Sequence, residues 1–445
     1  MEETYDAIVL GTGLKECIIS GLLSVEGFKV LHIDRNNYYG GASASLNLNQ
    51  LYERFRPGQK PPTSLGPSRD YAVDLVPKFI MAGGDLVRML VYTDVTKYLE
   101  FKSVDGSFVL NRGRVEKVPA SDWEALKSPL LGLFEKRRAA KFFSYCAAWS
   151  AEDPSTWRSW DPRTTSMQEL YRHFGLDPMT VDFVGHAVAL WSDDGYLTRP
   201  ALETLPKVKL YYDSMHRYEG LKSPYMYPLY GLGELPQAFA RLSAVHGGTY
   251  MLSKADAEVV YDQASGRAVG VRSEGQVARA RVVIGDPSYF PAKTRVASRV
   301  VRAFCVLSHP APATHDAASC QIILPQKQTG RKNDIYVFLC SKAHCVSPEG
   351  KWIALVSTTV ETADPAAELK PGLDLLGTPD QVFTEVVDVS VPLADGSADG
   401  AFISRGFDAT SHFETEVEDV LDLYKRITGR PLDLSGGKKK QEQTQ

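Results

Sequence analysis

The chain has 445 residues, 44% of them hydrophobic, enough for two domains or one large domain with an insertion. Lys and Arg total 50 against 54 Asp and Glu, a formal charge of -4 that excludes a global attraction for nucleic acid or anionic membranes. None of Cys17, Cys146, Cys305, Cys320, Cys340 and Cys345 makes a CxxC or pairs with a histidine at metal spacing, so no metal site is expected.

In chain order, Tyr5 to Leu10 is an apolar run ending at Gly11, Leu14 to Ser24 has helical spacing, and Lys29 to Asp34 is a second apolar run, which reads as β, α, β. Apolar residues recur at helical spacing from Leu86 to Tyr98, and Phe108 to Leu110 with Val115 to Val118 form a hairpin. Ser128 before Pro129 starts a long helix through Phe142 toward Trp149. Thr165 with Gln168 makes a capping box, and Asp177 before Pro178 opens another helix through Phe183 and Leu190. A further helix, kinked at Pro206, ends near Tyr212.

Past Tyr227 the structure is mixed, with a helix from Leu235 to Ser243 and strands at Ala268 to Arg272 and Val282 to Gly285. Val300 to Ser308, Ser319 to Leu324, Ile335 to Cys340 and Trp352 to Thr359 are also strands. The expected division is a discontinuous Rossmann-like α/β domain over 1–119 and 222–435, an inserted helical domain over 120–221, and a disordered polar tail over 436–445. The acidic start lacks the features of a secretory signal, and no apolar stretch is long enough to span a bilayer, so a cytosolic protein is expected.

In Gly-x-Gly-x-x-Gly the first glycine makes a tight turn, the second admits the pyrophosphate, and the third lets helix and sheet pack closely. Gly11 and Gly13 fit, but Glu16 holds the third position, and Asp34 stands where a ribose-binding acid would. A carboxylate there opposes the cofactor's phosphates by on the order of 3 kcal/mol at ~6 Å and an effective dielectric near 20, which Lys15 offsets in part. Ala42 follows Gly40-Gly41 where flavin-dependent amine oxidases usually place a phosphate-binding Arg. The fold signal survives and the cofactor signal does not, so no FAD is expected.

No other chemistry stands out: the histidines make no HxxxH or HxH, and no GxSxG or P-loop is present. His186, inside an apolar helix, reads as structural. Lys136, Arg137, Arg138 and Lys141 read as the solvated face of an amphipathic helix, not as a nucleic-acid or membrane patch.

Three stretches point to one family. They are residues 34–41 (DRNNYYGG), residues 223–237 (SPYMYPLYGLGELPQ) and residues 408–415 (DATSHFET). On these the chain closely resembles the Rab GDP-dissociation inhibitors, from Met1 to about Tyr424. The resemblance implies a larger domain related to flavin monooxygenases that carries the Rab-binding platform, and a smaller helical domain that shelters geranylgeranyl groups. It implies a monomeric, non-enzymatic partner of prenylated, GDP-bound Rab GTPases that touches membranes transiently.

Carried over residue by residue, the platform falls on Arg35, Tyr39, Arg69, Glu234, Arg241, Thr249 and Met251. A mobile loop that engages membrane or lipid begins at Arg217 and runs to Tyr227. Leu133, Phe134, Phe142, Phe183 and Ala187 are expected to line the isoprenoid pocket, where small residues beside large ones leave room between helices. Burying a lipid of about twenty carbons contributes on the order of 10 kcal/mol at ~0.8 kcal/mol per methylene. The alternatives are a Rab escort protein, which shares the fold but is generally longer, and an FAD-dependent oxidoreductase.

Overall fold

The computed structural model describes residues 4–120, 124 and 132–434. The Ser128-Pro129 helix start, the 436–445 tail and the side chain of Leu133 lie outside the described residues.

A central parallel strand is buried on both faces and therefore reads as a continuous apolar run. Thus β1 (Thr4–Leu10) sets Ala7 opposite Val30 of β2 (Val30–Ile33) on one side and opposite Val282 of Gln276–Gly285 on the other, both in parallel. Strand Thr249–Met251 continues the sheet beyond β2 with Met251 opposite Ile33, and Ala401–Ile403 pairs in parallel with residues 283–285. An antiparallel ribbon, Glu258–Tyr261 with Ala268–Ser273, completes it. This is the expected Rossmann-like sheet, with α1 (Leu14–Val25) as its crossover.

Leu14 to Ser24 of α1 are all buried, because the helix packs against β1, helix Glu234–Val245 and helix Glu414–Thr428. Gly21 marks the close approach: a Cβ there would lie 2.9 Å from Phe239 Cδ1.

A second sheet runs in the order Gln381–Pro392, Thr294–Leu307, Trp352–Thr359, Ile335–Ser341, Ser319–Leu324, Gly106–Asn111 and Arg114–Lys117. It contains the strands expected over Val300 to Ser308, Ser319 to Leu324, Ile335 to Cys340 and Trp352 to Thr359. The strand expected from Val300 begins earlier, at Thr294, because its first half extends into an exposed ribbon with Gln381–Pro392.

The described elements between Leu133 and Met215 are all helical. Helix Leu133–Ala148 packs on Met167–Phe174 and Leu205–Met215. The capping box sits one residue later than expected: Ser166 and Glu169 form it, not Thr165 and Gln168, two equivalent spacings of which the helix uses the second. Asp177 caps as expected, accepting from Thr180 N at 2.8 Å, and Pro178–Phe183 runs on into a π turn over Val184–Val188. Pro206 makes no kink, since it lies in the first turn of Leu205–Met215, where its missing N–H is not needed. The helix expected from Leu86 to Tyr98 stops at Tyr92, and the left-handed Asp94 turns the chain into a short 3₁₀ segment. Among the described residues, no helix is long and apolar enough to cross a membrane.

An exposed helical Gly→Ala exchange stabilises by about 1 kcal/mol. Gly21→Ala is expected to reverse that sign and cost about 1–3 kcal/mol, because the new methyl meets Phe239. Denaturant unfolding measures it, and a stabilised variant would contradict the packing.

Candidate functional site

The Gly11 turn has a local job. Gly11 sits at φ +90, and its carbonyl is bonded by His32 Nε2 at 2.6 Å. Asp34 accepts from Thr12 N and Thr12 Oγ1, both at 2.6 Å, and from Asn36 N at 2.7 Å, so both carboxylate oxygens are engaged within the turn. The segment after β2 folds back over the turn: Gly40 N donates to Thr12 O at 2.9 Å, and Leu14 N, at the start of α1, donates to Ser43 Oγ at 3.3 Å. Tyr38 and Tyr39 are therefore presented by a loop bonded to the glycine turn.

A dinucleotide would bring its pyrophosphate to this turn. The carboxylates of Glu16 and Asp286 lie against Gly13 and Gly11, where a Cβ would collide with them. Burial, then the charge of Asp286, pushes Glu16 up to about 7, against the opposing Ser404 hydroxyl, which donates to Glu16 Oε1 at 2.6 Å. Lys15, read from sequence as an offset, points elsewhere: its ammonium is buried 2.8 Å from Glu416 and 2.9 Å from Asp419. Two carboxylates at the turn thus oppose the negative charge of a pyrophosphate.

Four of the expected platform residues come together at the edge of the parallel sheet. Arg35 stacks 3.8 Å from the ring centroid of Tyr289, whose hydroxyl accepts from Arg35 N at 3.0 Å. Asp34 N donates to Met251 O at 2.9 Å, fixing the Thr249–Met251 strand beside the loop. Tyr39 faces Tyr250, ring centroids 6.1 Å apart, and Tyr250 stacks on His32 at 4.4 Å. Arg35 and Thr249 are exposed, and Tyr39 and Met251 half-buried.

Glu234 and Arg241 lie on the helix that leads into that strand. Both are exposed; Arg241 spreads over Tyr98 at 4.4 Å, and Glu234 has no ion pair among the described residues. Arg69 sits apart, on a turn held by Ser68, which bonds Asn49 N at 2.8 Å; its one carboxylate neighbour among the described residues is Asp70 at 3.8 Å.

Arg217 is exposed within an exposed run from His216 to Gly220. Tyr227 does not belong with it. It lies in strand Tyr225–Pro228, fully buried against Phe79 and Phe338, with its hydroxyl on Asp74, because the strand pairs on both sides with Ile80–Met81 and Phe101–Ser103. Of the isoprenoid candidates, Phe142, Phe183 and Ala187 are buried in one core, where Phe142 packs against Tyr171 and Phe174. Phe134 is 73% exposed on the outer helix face, so it lines no interior pocket.

Two buried residues that the sequence reading passed over tie these parts together. Asp74 accepts from the Ser45 and Tyr227 hydroxyls and from Leu232 N at 2.9 Å; burial raises its carboxyl to about 6 against those bonds. Lys78 donates to Asp408 at 2.6 Å and Thr410 O at 2.8 Å, and lies 3.2 Å from Glu416. His186 is structural: burial lowers its basicity, but hydrogen bonds to Asp194 and Asp334 prevail and raise it to about 10, so it is a cation joining the helical segment to the sheet strand that begins at Ile335.

With this geometry in hand, comparison with known proteins is decisive. The family model for GDP dissociation inhibitors matches residues 1–440. The chain belongs to the GDP dissociation inhibitor family. Guanosine nucleotide diphosphate dissociation inhibitor 1 of Arabidopsis thaliana is 58% identical over 98% of this chain and 97% of its own. A probable secretory pathway GDP dissociation inhibitor of Schizosaccharomyces pombe is 55% identical over the whole of both chains. The crystal structure of a Rab GDI from Plasmodium falciparum superposes with a TM-score of 0.92 at 45% identity, over 97% of this chain and all of that one. An oxidoreductase from Methanosarcina mazei (TM-score 0.58, 14% identity, 96% of this chain and all of that one) shares the fold alone.

Glu16 offers a test of the altered turn. The unfolded carboxyl loses its proton near 4.5 and the folded one near 7, so the folded state holds the extra proton between them and stability falls as pH rises through that window. Glu16→Gln keeps an acceptor for Ser404 and is expected to abolish that fall, leaving the variant more stable above the window by on the order of 1–3 kcal/mol. Unfolding curves with the same pH dependence as wild type would contradict it.

Proposed function

We propose that the chain binds prenylated Rab GTPases in their GDP-bound state, slows GDP release, withdraws them from membranes and carries them through the cytosol in vesicular transport. What carries this reading is the convergence of Arg35, Tyr39, Thr249 and Met251 at one sheet edge, flanked by Arg241 and Glu234, in a chain of the GDP dissociation inhibitor family. Tyr39 and Met251 supply adaptable apolar contact, and the charged groups supply directional hydrogen bonds.

The activity follows from linkage. A protein that binds only the GDP form lowers the free energy of that form relative to every other, and no bond need be made or broken. The chain is therefore proposed to be a binding protein with no catalytic role and no flavin, its altered turn supporting Tyr39. The lipid is proposed to enter among the helices between Leu133 and Met215, walled by Phe142, Phe183 and Ala187.

Purified protein added to liposomes that carry prenylated Rab-GDP is expected to move the Rab into the supernatant. Tyr39→Ala and Arg241→Ala are each expected to weaken Rab binding by about 1–3 kcal/mol while leaving the fold intact. Rab that stays in the pellet at saturating protein would refute the reading, and unchanged affinity in both variants would refute the platform.

A further inference from the structure

The outer face of helix Leu133–Ala148 works against the stability of the helix. Phe134, at its start, is more exposed than any other large apolar side chain among the described residues. Arg137, Arg138, Lys141 and Ser144 follow it along the same exposed stripe at helical spacing. Lys136, Arg137 and Arg138 fall near the N-terminal end, where the helix dipole disfavours cations.

The single carboxylate on this helix does little to offset them. Glu135 is buried; it accepts from Arg138 Nε at 2.7 Å and from Asp177 N at 2.9 Å, and so neutralises one cation only. Arg137 and Lys141 have no ion pair among the described residues. An exposed aromatic ring beside unpaired cations is a local arrangement that serves no folding purpose, and such departures concentrate where a chain meets a partner.

We propose that this stripe, which the sequence alone reads as a merely solvated face, is a docking face for an anionic bilayer, because the structure adds the exposed Phe134 ring: the ring enters the headgroup boundary, and Arg137 and Lys141 meet the lipid charges. One ring and two long flexible cations on a convex helix face carry no fixed geometry for a defined protein surface. They suit the diffuse negative charge of a headgroup layer. Because the chain as a whole is negative, the patch also orients it, turning one helix toward the membrane while the remaining surface is repelled. The inference rests on the proposed function, since a protein that takes lipidated partners from a membrane must approach one.

The test uses the full chain without Rab, sedimented with vesicles of phosphatidylcholine alone or mixed with phosphatidylserine. Binding is expected on the mixed vesicles and to weaken as salt is added. Arg137→Glu combined with Lys141→Glu is expected to lower partitioning about tenfold or more, and Phe134→Ala to lower it several-fold through the lost ring. Both variants alter exposed groups and are expected to keep the fold, with a melting temperature no lower than that of wild type. Binding by wild type that is equal on the two vesicle types or absent from both, or a double variant that partitions like wild type, would overturn the proposal; absence from both would point to a protein surface instead. Capture of prenylated Rab-GDP in vesicle-free solution, expected to be the same for wild type and variants, tests the functional reading separately.

Discussion

Asp74 and Lys78, two buried charges four residues apart on one extended segment, are the constraint on which the rest of the molecule depends. Asp74 gathers Ser45, Tyr227 and Leu232; Lys78 gathers Asp408, Thr410 and Glu416. Next to Lys78, Phe79 donates its N–H to Ser411 O at 2.8 Å and accepts from Phe413 N at 3.1 Å. Segments far apart in sequence thereby meet on one short run, each through a group that removal of its partner would strand in the core. Breaking a buried pair of this kind costs about 3–5 kcal/mol, so the network enforces the relative placement of the parts more than it adds net stability.

The same logic accounts for the glycine turn. In an enzyme of this fold, the turn and the first amides of the helix are kept open for phosphate. Here Ser43 takes one of those amides, Asp34 closes on Thr12, and the space against the two glycines holds carboxylates. The turn has become the foundation of the loop that presents Tyr38 and Tyr39, with His32 and Tyr250 stacked beneath as a rigid support. A rigid edge of this kind has little conformational freedom to lose on meeting a partner.

The βαβ unit and the inner strands Ser319–Leu324, Ile335–Ser341 and Trp352–Thr359 of the second sheet are legible because they are buried on both faces and read as unbroken apolar runs. Strand Gln381–Pro392 escaped notice because its edge position alternates exposed and buried residues over a long ribbon. Helix Glu414–Thr428 had a readable stripe, Val417, Val420, Leu423 and Tyr424, that was passed over beside the motif preceding it. Of the platform, family likeness supplied the residues and the structure supplied the company they keep. Tyr227 shares a short stretch of sequence with an exposed run, and only strand pairing sets it apart in the core. Asp74 and Lys78 were invisible for a different reason, since a lone acid or base in a sequence carries no sign that its partners lie hundreds of residues away.

The central claim is that a partner docks on the edge formed by the loop after β2 and the Thr249–Met251 strand. Hydrogen exchange followed by mass spectrometry, with and without prenylated Rab loaded with GDP, addresses it directly. The account predicts new protection in peptides covering Arg35 to Gly40 and His246 to Ser253. Protection confined to other surfaces, with those peptides exchanging at the rate of the free protein, would contradict it.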